Sequence, residues 1–258
     1  MVPLSRIVSA LDEELRLDDF PRDVSRNGLQ VEGAAGGVSK VCCGVDASPA
    51  FFEEAIARGA QLLFVHHGIS WGDSLSRLTG ANYALVSPLL RAGVALYAAH
   101  LPLDAHPRLG NNAGLASALG LGELRPFGVY AGREIGFKGA LAAPVPWGAF
   151  KARLRDVCPD GRFESFDPFG DDARPVRTVG VVSGGAAEDF PQAVDAGLDA
   201  YVTGEMGLAD YNALLARPIR FAAAGHYATE RFGPRAVAGW LRNELGVDAE
   251  FVDMHLRF

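Results

Sequence analysis

Short apolar runs alternate along this chain with segments of helical pattern, and this alternation constrains the fold more than any other feature. Glycines such as Gly59 and Gly93 end the helical segments. Strands that alternate with helices of about 10–15 residues predict parallel sheets with helices on their faces, so we expect an α/β fold. The predicted strands are KVCCGVD (40–46), QLLFVHH (61–67), VALYAAH (94–100), TVGVVSG (178–184), DAYVTG (199–204), PIRFAAAGH (218–226) and AEFVDM (249–254).

The two halves of the chain follow the same pattern. EEAIARGAQLLFVHHG (53–68) aligns with PQAVDAGLDAYVTGEM (191–206), and each reads as a helix, a glycine turn, an apolar strand and a polar cluster at the strand's end. The residue identities match weakly. An internal duplication and a coincidence of pattern therefore both stay open.

Two segments between the halves are less regular. REIGFKGALAAP (133–144) and SFDPFGDDARP (165–175) predict a join or a small antiparallel extension rather than a long linker. We expect two similar α/β domains with mainly parallel central sheets, comprising residues 1–126 and 127–258, with some strands packing across the boundary.

Polar residues follow several of the predicted strands, where ligands bind in parallel α/β sheets. His66 and His67 are neighbours at the end of one strand, so their side chains point to opposite faces and can reach two ions, or one ion and a supporting group. The other candidates at strand ends are His100, Asp104, Glu205, His226 and Glu230.

The two carboxylates of this set have plainer interpretations beside the metal-binding one. His226 and Glu230 have an i, i+4 spacing and can converge at a helix N-terminus if the helix begins near Ala228. Glu230 is otherwise a first-turn helix charge. Asp104 follows Pro102, which we expect to keep the chain extended and to aim the carboxylate over the sheet. Asp104 is otherwise a turn aspartate.

The three imidazoles of His66, His67 and His226 and two carboxylates make a donor set without thiolates. One ion that keeps a position for water needs about three protein ligands. Five ligands therefore suit two ions when one carboxylate bridges them. Mixed nitrogen and oxygen donors favour Zn, Mn, Fe or Co over Ca or Mg.

Charge, motifs and composition disfavour several other classes of protein. The formal charge of −7 argues against broad nucleic-acid binding, although local basic patches leave DNA binding by a ring as a third hypothesis. No P-loop motif is present, so a P-loop NTPase is disfavoured. The three cysteines have no metal-binding spacing, and the N-terminus has no signal-peptide pattern. The apolar runs are far shorter than the ~20 residues that span a membrane. These features predict a cytoplasmic protein.

Six motifs in order across nearly the whole chain resemble the Nif-three-like family, whose bacterial members are often labelled GTP cyclohydrolase type 2 homologues. The longest and most specific contains His100 and Asp104. The motifs are NGLQVEG (27–33), GVDAS (44–48), LLFVHHG (62–68), HLPLDAHPRLGNNAGLA (100–116), TGEM (203–206) and AGHYATE (224–230).

The resemblance implies a two-domain α/β fold with a dinuclear metal centre between the domains. It implies that Glu230 bridges two ions, that His67 and Asp104 complete one site, and that His66 and His226 complete the other. It also implies a homohexameric ring whose metal sites face an inner cavity.

The function that follows from these observations is a metal-dependent hydrolase acting on a nucleotide or a related small molecule. His100 is a candidate general acid or base or an orienting group, and Glu205 is a candidate substrate contact. The alternatives are a buried structural histidine and a helix-capping carboxylate. A non-enzymatic metal-binding scaffold or regulatory ring protein is the alternative function, and whether the protein is an enzyme stays open.

Overall fold

Strands and helices alternate through the computed structural model, which describes residues 1–34 and 36–256. The strands are β1 Val2–Pro3, β2 Gly28–Val31, β3 Gly37–Val38, β4 Lys40–Asp46, β5 Leu62–His67, β6 Ala95–Ala98, β7 Leu121–Tyr130, β8 Arg133–Pro146, β9 Phe163–Phe166, β10 Pro175–Val181, β11 Ala200–Thr203, β12 Arg220–Ala224 and β13 Asp248–Phe251. The helices are α1 Leu4–Leu15, α2 Pro49–Ala57, α3 Ala81–Ala92, α4 Leu101–Ala105, α5 Asn111–Ala118, α6 Trp147–Val157, α7 Phe190–Asp195, α8 Leu208–Ala216, α9 His226–Thr229 and α10 Phe232–Leu245.

Helix boundaries follow local signals in the sequence. The Ser48 side chain accepts a hydrogen bond from the Phe51 backbone N–H at 3.3 Å, and Pro49 occupies the first position of α2. Gly93 ends α3 in a left-handed conformation at φ +65°, which a residue without Cβ adopts at little cost. These signals confirm the two helices expected before β5 and β6.

One compact unit comprises residues 1–34, 36–103 and 233–254. Its five-stranded sheet has the order β13-β4-β5-β6-β2, in which the first four strands are parallel and β2 is antiparallel. Leu63, Val65 and Leu96 pack in its core with Phe51 and Phe52 of α2. The strand β5 is therefore central, and its carboxyl end lies between the ends of β4 and β6.

Of the described residues, the second compact unit comprises 104–232 and 255–256. Its six-stranded sheet has the order β7-β8-β10-β11-β12-β9. The strands β10, β11 and β12 are parallel, while β7, β8 and β9 pair antiparallel. Val179, Val202 and Ala222 of the parallel strands pack with Trp147 and Phe150 of α6.

The structure confirms the α/β class and the antiparallel extension. The segment 133–144 lies in β8, antiparallel to both β7 and β10. In each unit three parallel strands follow one another with a helix between each pair: β4-α2-β5-α3-β6 in one unit and β10-α7-β11-α8-β12 in the other. The two units thus share the arrangement that the aligned halves predicted.

The sequence predicted domains of residues 1–126 and 127–258, with some strands packing across the boundary. The compact units change at Leu103 and Asp104, and the chain returns to the first unit at Gly233. The strand β13 is parallel to β4, with Phe251 beside Cys43, so α10 and β13 complete the first sheet from beyond the predicted boundary. Among the described residues, no helix has both the length and the apolar character needed to cross a membrane.

Candidate metal centre

His66 and His67 are the last two residues of the central strand β5 in the first unit. Their ring centroids lie 4.5 Å apart. His66 is fully buried and its Nδ1 donates to the Ala99 carbonyl oxygen at 2.9 Å. His67 is partly exposed and its Nδ1 donates to the Asp46 carboxylate at 2.8 Å. The neighbouring strands β4 and β6 thus supply or directly precede the acceptors that hold both rings.

His100 brings a third imidazole to the same end of this sheet. It follows β6, and its ring centroid lies 5.2 Å from that of His66 and 5.7 Å from that of His67. Its Nδ1 donates to Asp23 at 2.9 Å, and its backbone N–H donates to the Asn27 side chain at 2.8 Å. Both the ring and the backbone of His100 are therefore fixed.

These contacts determine which ring nitrogen of each histidine can bind a metal. A carbonyl or carboxylate oxygen only accepts hydrogen bonds, so the Nδ1 atoms of His66, His67 and His100 carry the proton. The lone pair of each neutral ring then lies on Nε2, which is the arrangement of metal-binding histidines. One ring nitrogen of each lies within 4.8 Å of the others, so this group can hold a metal ion.

Asp23 fixes the orientation of the His100 ring. Its side chain is 1% exposed, and it accepts hydrogen bonds from His100, the Asn27 side chain and the backbone N–H groups of Ser25 and Leu101. Burial alone favours its protonated form, but the hydrogen bond and charge of His100, with the bonds from Asn27 and Ser25, lower the pKa of Asp23 below its ordinary value. This shift favours the ionised form of Asp23, which accepts the hydrogen bond from His100 Nδ1.

The second unit gathers Asp104, His226 and Glu230. His226 begins α9 one residue after β12, and Glu230 caps the C-terminus of that short helix. The distance from His226 Nε2 to the Glu230 carboxylate is 3.2 Å, and His226 Nδ1 contacts the Glu205 carboxylate. An oxygen of Asp104 lies within 4.8 Å of one of Glu230. This set therefore offers one imidazole and two adjacent carboxylates.

Asp104 is held by groups of its own unit. Its Oδ1 accepts from the Asn111 side chain at 2.9 Å and from the Ser183 hydroxyl at 3.2 Å. Asp104 is 4% exposed and Glu230 3% exposed. Two buried carboxylates so close together repel one another when both are ionised. A buried charge without a partner is costly, and a cation bound by both carboxylates supplies that partner, so the pair fits a metal ion.

The same carboxylates act on His226. Burial lowers its pKa, but the hydrogen bond and charge of Glu230, together with those of Glu205, outweigh burial and raise the pKa of His226 to about 9. At neutral pH the ring therefore carries a proton on both nitrogens in the metal-free protein. A metal ion on His226 Nε2 takes the place of that proton, as binding to a histidine requires.

Gly184 makes room for the carboxylate of Glu230. Its φ is +68°, and a Cβ at this position would lie 2.2 Å from Glu230 Oε1 and 3.1 Å from His226 Nε2. A side chain there is excluded by both its backbone conformation and its neighbours. The neighbouring Gly185 has no such constraint, since its Cβ would lie 3.7 Å from the nearest atom, His226 Cε1.

Glu205 lies beside a small cavity of the second unit. The cavity measures about 110 Å³, and its wall includes Glu205, Met206 and Arg162, whose guanidinium pairs with the Glu164 carboxylate at 2.9 Å. The Glu205 side chain is 43% exposed, so it can contact a solute while it holds His226. This space suits a small polar group rather than a whole nucleotide.

Comparison with known proteins decides the family. The family model for Duf34/NIF3 (NGG1p interacting factor 3) matches residues 2–256. The chain belongs to the Duf34/NIF3 family. It is 40% identical over 247 residues to a Pyrococcus horikoshii protein named GTP cyclohydrolase 1 type 2 homolog, an alignment that covers 96% of both chains.

Solved structures of similar proteins share the fold of this Duf34/NIF3 chain. The protein TTHA1606 from Thermus thermophilus matches with a TM-score of 0.87 and 36% identity over 98% of both chains. A structure described as protein ybgI, of unknown function, matches with a TM-score of 0.89 and 32% identity, again over 98% of both chains.

Two details of this Duf34/NIF3 chain differ from the sequence-based expectation. Pro102 does not keep the chain extended, because it lies in the first turn of α4, where its missing N–H costs no hydrogen bond. The helix expected near Ala228 is two helices, with Glu230 ending α9 before α10 begins at Phe232. The i, i+4 contact between His226 and Glu230 nevertheless forms within α9 and its cap.

Sequence analysis missed the acceptors that orient the imidazoles. Asp46 has a signal, since it is the last residue of a predicted strand and lies within the motif GVDAS. Asp23 has none, because it lies in an irregular segment and meets His100 across 77 positions of the chain. Only the tertiary structure brings them together.

We predict that Gly184→Ala weakens divalent metal binding by about 10–100-fold, the effect of disturbing groups that position metal ligands. The added methyl group displaces the Glu230 carboxylate, while Gly185→Ala, the matched control, retains native affinity. Competition with a chromophoric chelator measures both. Equal affinities in the two variants would contradict the close packing of Gly184 against Glu230.

Proposed function

We propose that this protein binds two divalent metal ions, Zn, Mn, Fe or Co, through His66, His67, Asp104, His226 and Glu230. In this proposal Glu230 bridges the ions, His67 and Asp104 complete one site, and His66 and His226 complete the other. The pairing of ligands comes from the family resemblance.

The observation that carries the proposal is the donor chemistry within each unit. His66 and His67 have Nδ1 committed to an acceptor, which leaves Nε2 as the metal-binding atom. Asp104 and Glu230 are buried carboxylates within reach of one another, with His226 beside Glu230. Nitrogen and oxygen donors without thiolates suit the four named metals.

We propose further that the protein is a metal-dependent hydrolase of a nucleotide or a related small molecule. The ions supply Lewis acidity, which makes water a nucleophile at neutral pH. His100, held by Asp23, orients groups at this centre or exchanges a proton with the substrate.

Glu205 fixes the ring of His226 and borders the cavity that contains Arg162.

The nucleotide class rests on the relatives' names. Proteins 37–40% identical to this chain are named GTP cyclohydrolase 1 type 2 homolog. Opening of a purine ring and cleavage of a phosphoester both use water activated by metal ions. The substrate screen therefore includes nucleotides, phosphoesters and cyclic amides.

We predict that the purified and reconstituted protein holds close to two ions per chain and that His66→Ala removes mainly one. Loss of one imidazole deprives one ion of a ligand and leaves the donors of the other in place. Elemental analysis by mass spectrometry measures the content. A protein without bound metal after reconstitution with each of the four metals would overturn the dinuclear proposal.

We predict that Glu230→Gln lowers turnover of the substrate found in the screen by more than the roughly 10–100-fold that loss of a supporting group costs, because a bridging carboxylate serves both ions. Glu244→Gln, on the exposed face of α10, is the control and keeps native turnover. Circular dichroism establishes that both variants fold. Absence of turnover with every metal, together with melting that depends on metal, would favour the non-enzymatic scaffold.

We also propose a homohexameric ring in the cytoplasm. The ring rests on the family resemblance, and the three buried thiols, Cys42, Cys43 and Cys158, support a reducing compartment. Sedimentation velocity measures the oligomer, and a monomer at micromolar concentration would contradict the ring.

A further inference from the structure

His100 lies outside the five ligands of the proposed dinuclear centre, yet the first unit holds it as those ligands are held. His66, His67 and His100 each donate a hydrogen bond from Nδ1 to an oxygen acceptor. One ring nitrogen of each lies within 4.8 Å of the others. The three imidazoles therefore lie close together, and each has its Nδ1 turned toward an oxygen acceptor.

His106 shows how a histidine with a different role is held in the same protein. Its Nδ1 accepts hydrogen bonds from the backbone N–H groups of Arg108 and Leu109, at 3.3 and 2.9 Å. The proton of the neutral ring then lies on Nε2, the opposite tautomer to that of His100. His106 shapes the turn after α4, whereas His100 presents a lone pair.

The repeated architecture provides an independent argument. The strands β6 and β12 are the third parallel strands of their units, and each is followed by a histidine with an acidic residue four positions later. These pairs are His100 with Asp104 and His226 with Glu230. The family resemblance assigns three of these four residues to the metals, and His100 is the fourth.

The support of the two histidines repeats as well. His100 Nδ1 is held by Asp23, and His226 Nδ1 is held by Glu205. A carboxylate on Nδ1 increases the basicity of Nε2 and strengthens its bond to a metal. The correspondence therefore extends from chain spacing to the chemistry of each ring.

We propose that the first divalent ion to enter this protein binds to His66, His67 and His100, through three Nε2 atoms within the first unit. The inference rests on the proposed function in taking His66 and His67 as ligands. Three imidazoles with an open position form an established class of transition-metal site. The carboxylates of Asp104 and Glu230 are required for the second ion. When that ion binds, His66 and His67 become ligands of different ions, as in the proposed dinuclear centre.

The test is a titration with Co²⁺ followed by X-ray absorption. With one equivalent bound to Glu230→Gln, we expect about three imidazoles per cobalt, and we expect His100→Gln to weaken the first binding step by at least about 10-fold. His106→Asn, which retains an acceptor for the Leu109 N–H, is the matched control and keeps native affinity. Thermal melting establishes that each variant folds.

Asp23→Asn provides a second route if His100→Gln does not fold. Loss of the carboxylate removes the charge that holds His100, so the first step weakens by about 10–100-fold while the ring stays in the chain. Native first-step affinity in both variants, or two imidazoles per cobalt at one equivalent, would overturn the inference.

The outcomes separate this inference from the dinuclear proposal. Wild-type protein that binds two ions while His100→Gln keeps both affinities refutes the role of His100 alone. Wild-type protein that binds a single ion with three imidazoles refutes the dinuclear proposal and supports the inference. Wild-type protein that binds no cobalt refutes both.

Discussion

The hydrogen bond from each Nδ1 to an acceptor is the interaction on which the site depends. The acceptor is a backbone carbonyl for His66 and a carboxylate for His67, His100 and His226. Because such oxygens cannot donate, each ring has a fixed orientation and a defined face for Nε2. The fold must therefore bring four acceptors to four rings before any ligand binds.

Parallel strands solve much of this problem. The acceptors Asp46 and Ala99 lie at or just after the carboxyl ends of β4 and β6, on either side of the strand that carries His66 and His67. Asp23 comes from an irregular segment and is held by backbone N–H groups, which keep a buried carboxylate ionised. The sheet positions the ligands, and the loops position the groups that orient them.

This division explains which features were predictable from sequence. The strands, the histidine pair of β5 and the i, i+4 pair of His226 and Glu230 depend on periodicity and short spacing, so local sequence contains them. The contact between Asp23 and His100 and the pairing of β13 with β4 depend on packing between distant segments. No local pattern encodes such contacts, and the helix at Pro102 shows that even a strong local preference yields to position within a turn.

The charges of the two donor sets differ in a way that bears on the order of metal binding. The imidazoles of His66, His67 and His100 are neutral donors when their Nδ1 atoms carry the proton, so an ion on these rings keeps its full charge of +2. In the proposed dinuclear centre, a second divalent ion would be repelled by the first unless anionic ligands offset that charge. Asp104 and Glu230 supply two negative charges, but in the metal-free protein His226 carries a proton and already offsets one of them. Entry of a cation there must displace that proton. The neutral donors therefore suit the first ion and the carboxylates suit the second.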